Sequence, residues 1–115
     1  MKIHNWDSIP SEQLNPLFTR QAFHAQNLTV ARIHLQKGAV VPEHSHIHEQ
    51  VTFLQQGRLR FAVGGAELIL KPGDMLEIPP SVPHSVEALE DSVAVDVFSP
   101  VREDWIRGDD AYLRK

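Results

Sequence analysis

Residues 44–50 read His-Ser-His-Ile-His-Glu-Gln, and this alternation constrains the chain more than any other stretch. Side chains two apart on a β-strand share a face and sit roughly 6–7 Å apart. An extended segment here therefore aligns His44, His46, His48 and Gln50, close enough for imidazoles to bend onto one ion. Val40 and Val41 lead in, and Val51, Thr52, Phe53 and Leu54 lead out, so the reading is a ligand-bearing strand. An expression tag would lie at a terminus and repeat histidine without alternation. Burying such rings without partners would cost about 1–3 kcal/mol each, so the cluster implies something for them to hold. Downstream, Pro79-Pro80-Ser81-Val82-Pro83 ends in a lone histidine, His84, which answers the first group.

The rest of the chain is cut into short pieces by proline and glycine. Between them lie β-type runs at residues 28–35, 49–54, 58–63, 66–70, 75–78, 84–88 and 93–98. Gly64-Gly65 between two alternating runs predicts a two-residue hairpin turn, and Lys71-Pro72-Gly73-Asp74 predicts another turn. Many short strands at regular spacing predict an all-β antiparallel sandwich or barrel. Residues 1–27 read as an arm with one short strand near residues 19–23, and residues 28–115 as the barrel, one domain in all. A short helical turn is expected at residues 103–106.

Composition narrows the function. At 115 residues with a net charge of −4, the chain has no basic stripe for nucleic acid or anionic membrane. No apolar run approaches a bilayer span and the N-terminus lacks a signal-peptide pattern, so the cytoplasm is the expected compartment. The absence of cysteine excludes disulfides, thiol nucleophiles and zinc–thiolate sites together.

Two motifs in order carry a resemblance. Gly38, His44, His46, Gln50 and Gly57 match the spacing of a first motif in which glutamate usually stands where Gln50 does. Gly73, Pro79, Ser81, His84 and Ala88 match a second, with serine for the usual glycine and alanine for the usual asparagine. In these residues the chain resembles the cupins, whose fold is a double-stranded β-helix, or jelly-roll barrel, around a metal. The resemblance implies one divalent transition metal (Ni, Mn, Fe or Zn) held by His44, His46, Gln50 and His84. It gives His48 no coordination, and a contact behind the ligands or with substrate is expected of it. Glutamine in place of glutamate leaves the ion its full double charge, which favours anionic ligands.

Three further stretches narrow the resemblance to pectin-degradation cupins of the KdgF type. They are His-Ser-His-Ile-His-Glu-Gln as a unit, Thr19-Arg20-Gln21 leading to residues 30–39, and residues 90–104 with Asp96-Val97-Phe98-Ser99-Pro100-Val101-Arg102-Glu103-Asp104. That resemblance implies conversion of cyclic 4,5-unsaturated uronates, released by pectin and alginate lyases, to linear keto sugars. The residues suit such chemistry. Asp96 sits among valines, where burial would raise its pKa and make it a proton shuttle. Arg102 can pair bidentately with a substrate carboxylate, and Phe98 can pack on the sugar face. The bland alternative is an internal Asp96–Arg102 salt bridge. Competing functions are a cupin dioxygenase or lyase on another small organic acid and a non-catalytic sugar-acid-binding module. The expected partners are a small anionic sugar and a second copy of the chain, since small cupins often form homodimers.

Overall fold

Ten strands account for the alternating runs, with proline and glycine set between them. In the computed structural model, which describes residues 1–115, they are β1 (Glu12–Asn15), β2 (Phe18–His24), β3 (Thr29–Leu35), β4 (Val40–His44), β5 (Glu49–Gln56), β6 (Leu59–Val63), β7 (Ala66–Leu70), β8 (Met75–Ile78), β9 (His84–Ala88) and β10 (Ser92–Ser99). They form a six-stranded sheet in the order β1-β2-β3-β10-β5-β8 and a four-stranded sheet in the order β4-β9-β6-β7. Every pairing is antiparallel. The two sheets enclose one core: the all-β barrel expected from the short alternating strands, in the jelly-roll form that the resemblance implies.

Strand β10 shows why the sequence folds this way. It lies between β3 and β5, so both of its edges are paired. Ser92, Ala94, Asp96 and Phe98 are buried, while Val93, Val95 and Val97 are half-buried on the outer face. The other strands repeat the division and send Ile33, Leu35, Leu54, Leu59, Phe61, Ile78 and Ala88 inward. Each of the larger of these side chains contributes about 1.5–3 kcal/mol on burial, which is what holds the sheets together.

The turns follow the residues that build them. Gly64 and Gly65, at φ 55° and 86°, join β6 to β7 in a turn whose twist matches that of its strands. In Lys71-Pro72-Gly73-Asp74 the Asp74 amide donates to the Lys71 carbonyl at 3.0 Å. Gly57 is required by space as well as by its φ of 90°: a Cβ there would lie 2.2 Å from Ser92 Oγ.

Two local expectations are corrected. Residues 44–50 are not one strand. β4 ends at His44 and belongs to the four-stranded sheet, whereas β5 begins at Glu49 in the six-stranded sheet. The chain crosses between sheets through residues 45–48, so strand parity does not align the histidines. The first 27 residues also hold two strands where one was expected, β1 and a β2 longer than residues 19–23. β1 is a polar edge strand without alternation, and pairing with β2 alone makes it extended.

After β10 the chain crosses the mouth of the barrel. A short helix, α1 (Glu103–Ile106), forms at the predicted place, and a 3₁₀ turn at Ala111–Leu113 follows. Leu113 enters the core. Asp110 accepts a hydrogen bond from Arg20 of β2 at 2.8 Å, and both side chains are almost fully buried. The guanidinium groups of Arg20 and Arg102 both lie over the Trp105 ring, 4.3 and 4.4 Å from its centroid.

Candidate metal centre

His44, at the end of β4, and His84, at the start of β9, face each other across the strand pair. His46 reaches the same point from the crossing segment. One ring nitrogen from each of the three lies within 4.8 Å of the others. All three rings are fixed in the same way. Nδ1 of His44 contacts the Pro42 carbonyl at 2.7 Å, Nδ1 of His46 the His48 carbonyl at 3.1 Å, and Nδ1 of His84 the Val82 carbonyl at 2.8 Å. A carbonyl can only accept, so Nδ1 carries the proton and the Nε2 lone pairs are left to converge. This is how metal-binding imidazoles are oriented. His84 Nε2 is buried with no partner in the chain. Burial pushes the His44 pKa down to about 4 and that of His46 to about 3, and it lowers that of His84. At neutral pH the rings are uncharged and able to ligate.

Gln50, the second residue of β5, brings Oε1 to 3.0 Å from His46 Nε2. With the His46 proton on Nδ1, both of these atoms are acceptors. Their contact is repulsive unless a cation lies between them and the other two rings. Donors on one small divalent ion, with bonds of about 2.0–2.2 Å, stand roughly 3 Å or slightly more apart. The donor set therefore fits a divalent transition ion. Behind Gln50 its Nε2 donates to Thr52 Oγ1 at 3.0 Å, and Thr52 Oγ1 donates to Asp96 Oδ1 at 2.6 Å. Burial raises the Asp96 pKa to about 6, against the opposing hydrogen bond from Thr52, the charge of Arg102 and the nearby Gln50 amide.

Arg102 differs from its expected state. Its guanidinium is buried and already holds a carboxylate: Nε and Nη2 donate to Asp104 at 3.0 and 2.8 Å, and Nη2 also donates to Tyr112 Oη at 2.8 Å. Its flat face lies over Phe98 at 4.7 Å. The fork expected for a substrate is taken by Asp104, two residues away, where the short spacing makes pairing cheap. The Asp96–Arg102 salt bridge is not formed either, since Asp96 turns to Thr52. Arg102 still acts on the centre through its charge, which disfavours protonation of His44, His46, His48 and His84.

His48 stands outside the cluster. Its ring is buried 5.4 Å from that of His46 and 6.4 Å from that of Phe98, and its Nδ1 has no partner. Its carbonyl orients His46. Thr52, Asp104, Trp105 and Tyr112 were missed in the sequence. Thr52 shares the parity of Gln50 on β5 and could have been found that way. Tyr112, whose ring is 4.8 Å from that of His44, arrives on a segment with no local signal.

Two spaces meet the centre. An inner cavity of about 50 Å³, lined by His44, Gln50, His84, Asp96, Phe98, Arg102 and Tyr112, has room for an ion and a water-sized ligand. An outer cleft of about 510 Å³, lined by His46, His48, Pro100, Asp104 and Arg107, is within the usual range for small-molecule sites. A groove of about 330 Å³ between the N-terminal segment and β2–β3, lined by Trp6, Ile9, Phe23 and Val30, lies apart from this chemistry.

A jelly-roll interior that gathers three imidazoles at one mouth defines a class, and the match to the cupin domain over residues 31–99 places this chain in the cupin family. Within it, the chain is 33% identical over 103 residues to the pectin degradation protein KdgF of Dickeya dadantii, covering 87% of this chain and 94% of that protein. The structure of KdgF from a Halomonas species superposes with a TM-score of 0.79 at 31% identity, over 84% of this chain and 90% of that one. An RmlC-like cupin from Shewanella frigidimarina superposes with a TM-score of 0.85 at 28% identity, over 91% of this chain and 96% of that one.

Proposed function

We propose that this cupin is a metal-dependent enzyme that converts cyclic 4,5-unsaturated uronates to linear keto sugars by ring opening and tautomerisation. The observation that carries the reading is the buried Asp96 carboxyl, linked through Thr52 and Gln50 to three converging imidazoles. The likeness to pectin degradation proteins supplies the substrate class. An ion held by His44, His46, Gln50 and His84 supplies Lewis acidity, and the neutral donor set leaves its double charge intact for an anionic sugar.

The chain's own residues divide the remaining work. Arg102, locked by Asp104 and Tyr112, adds fixed positive charge beside the substrate acid group, in place of the bidentate grip expected from sequence. Phe98 offers an apolar face to the ring. Asp96 takes the proton of the anomeric hydroxyl as the bond between C1 and the ring oxygen breaks, leaving an aldehyde at C1 and an enolate at C5. The same proton is returned to C4 as the enolate becomes the ketone, so the reaction is a net isomerisation without an oxidant. A carboxyl with a pKa near 6 is suited to accept and return a proton near neutrality. The enzyme works as a homodimer in this reading, and the outward Val93, Val95 and Val97 beside Val51 and Phe53 offer the apolar surface for pairing.

The test is an ultraviolet assay of unsaturated galacturonate, following loss of its conjugated double bond. Activity should persist without oxygen and disappear with chelator. Oxygen-dependent turnover would instead favour the dioxygenase reading, and saturable binding without turnover the non-catalytic one.

A further inference from the structure

An amide side chain presents two chemically different ends, and only its oxygen can ligate a cation at neutral pH. Gln50 must therefore be held one way round. Before an ion binds, nothing at its outer end enforces this, because His46 Nε2 offers a lone pair that would itself accept from the amide nitrogen. The selection has to come from behind.

We infer that Thr52 is a positioning residue that turns the Gln50 carbonyl oxygen toward the metal centre by relaying the Asp96 carboxylate. The Thr52 side chain is fully buried, so its single proton goes to a neighbour in the protein. That proton goes to Asp96 Oδ1 at 2.6 Å. Oγ1 is then left as an acceptor, and it accepts from Gln50 Nε2 at 3.0 Å. With the nitrogen held there, Oε1 has no choice but to face His46. Reversing the amide would require Thr52 to donate to Gln50 and leave Asp96, which is buried, without that bond. The relay thus sets the polarity of one donor in the ligand set. It also gives Asp96 a second use, independent of proton transfer.

The inference rests on the proposed metal site and deepens it. Its test is metal affinity, measured with Ni²⁺ or Mn²⁺ by competition against a chromogenic chelator, in four proteins: wild type, Thr52→Val, Gln50→Glu and the double variant. Partners that orient metal ligands typically contribute 10–100-fold in affinity, so Thr52→Val should weaken binding by about that factor. A glutamate has two equivalent oxygens and no polarity to choose, so the same change in the Gln50→Glu background should cost less than about threefold. Thr52→Ser, which keeps the hydroxyl, should restore wild-type affinity.

Equal losses in both backgrounds, or no loss with Gln50 present, would overturn the inference. Thr52→Ala is read in parallel. If both hydroxyl-free variants fail to fold while Thr52→Ser folds, the role is structural and the inference also falls. Failure of the site itself is recognised separately, because His84→Ala would then leave metal affinity unchanged.

Discussion

The two ends of the barrel interior are made by the same strands and differ only in what those strands point inward. Along β5 the buried residues run Gln50, Thr52, Leu54; along β10, paired antiparallel, Phe98, Asp96, Ala94; along β9, His84, Val86, Ala88. β5 and β9 change from polar to apolar within about two inward positions, and in β10 Asp96 gives way to Ala94. At one end Leu35, Leu54, Leu59 and Phe61 are close to fully buried and need no partners. At the other, imidazoles, an amide, a carboxyl and two guanidinium groups are buried at a cost met by hydrogen bonds and ion pairs. One backbone therefore carries a region that stabilises and a region that stabilises little. The difference teaches that the barrel tolerates its site because the apolar end is complete without it.

The sharpest separation comes from removing ligands. His44→Ala/His46→Ala should abolish bound metal and turnover together, as read by elemental analysis and the ultraviolet assay, while the metal-free fold remains. It should also change the acid response. The His44 and His46 pKa values are depressed in the folded chain, so their neutral burial contributes stability that is present above pH 6.5 and lost as pH falls toward 4 and 3. Metal-free wild type should thus lose more stability than the variant in urea unfolding between pH 6.5 and 4.5. Parallel curves would mean that these rings are solvated.

At the apolar end the opposite pattern is expected. Phe61→Ala should cost about 3–5 kcal/mol in urea unfolding, with metal stoichiometry unchanged in the folded fraction. Metal lost in proportion to stability would show that the two ends are not separable.

Asp96→Asn is the intermediate case. Turnover should fall by a factor on the order of 10² or more, with metal retained. Its stability effect has a definite sign. The folded pKa of about 6 lies above the ordinary 3.8, so the carboxyl favours the fold below pH 3.8 and that contribution is lost as pH rises through 6. The stability of the asparagine variant relative to wild type should therefore improve from pH 4 to pH 7. An unfolded variant with full activity per folded molecule would make the carboxyl structural.

The smallest effect is expected from Tyr112→Phe, which removes one hydrogen bond to Arg102. That bond is worth about 0.5–1.5 kcal/mol, so KM should rise severalfold with kcat nearly unchanged. A fall in kcat with KM unchanged would place Tyr112 on the reacting atoms.

Most of the barrel was legible because alternation and turn chemistry are local. Gly64-Gly65 fixes a hairpin within four residues. The ligand residues were legible from their types and spacing, yet the reason offered for their convergence was wrong. Ser45 to His48 bridge two sheets, and no local pattern marks where a strand stops when polar residues continue its alternation. The state of Arg102 was hidden for a different reason. Its pairing with Asp104 competes with every other partner, and Tyr112 reaches it only after the chain has turned back over the mouth. The Arg20–Asp110 pair joins residues 90 positions apart and leaves no trace in either neighbourhood.

Trp105 carries the guanidinium groups of both Arg20 and Arg102 over its ring, with Phe98 edge-on at 5.1 Å. An indole's emission shifts with the electric field across its ring, and here two fixed cations set that field. An anion settling against Arg102 would offset one of those charges and leave the other untouched. The only other tryptophan, Trp6, lies on the N-terminal segment, away from the centre. On the proposed function, the chain consequently carries its own optical gauge of site occupancy: Trp105 emission should shift when an acid binds, before any bond has changed.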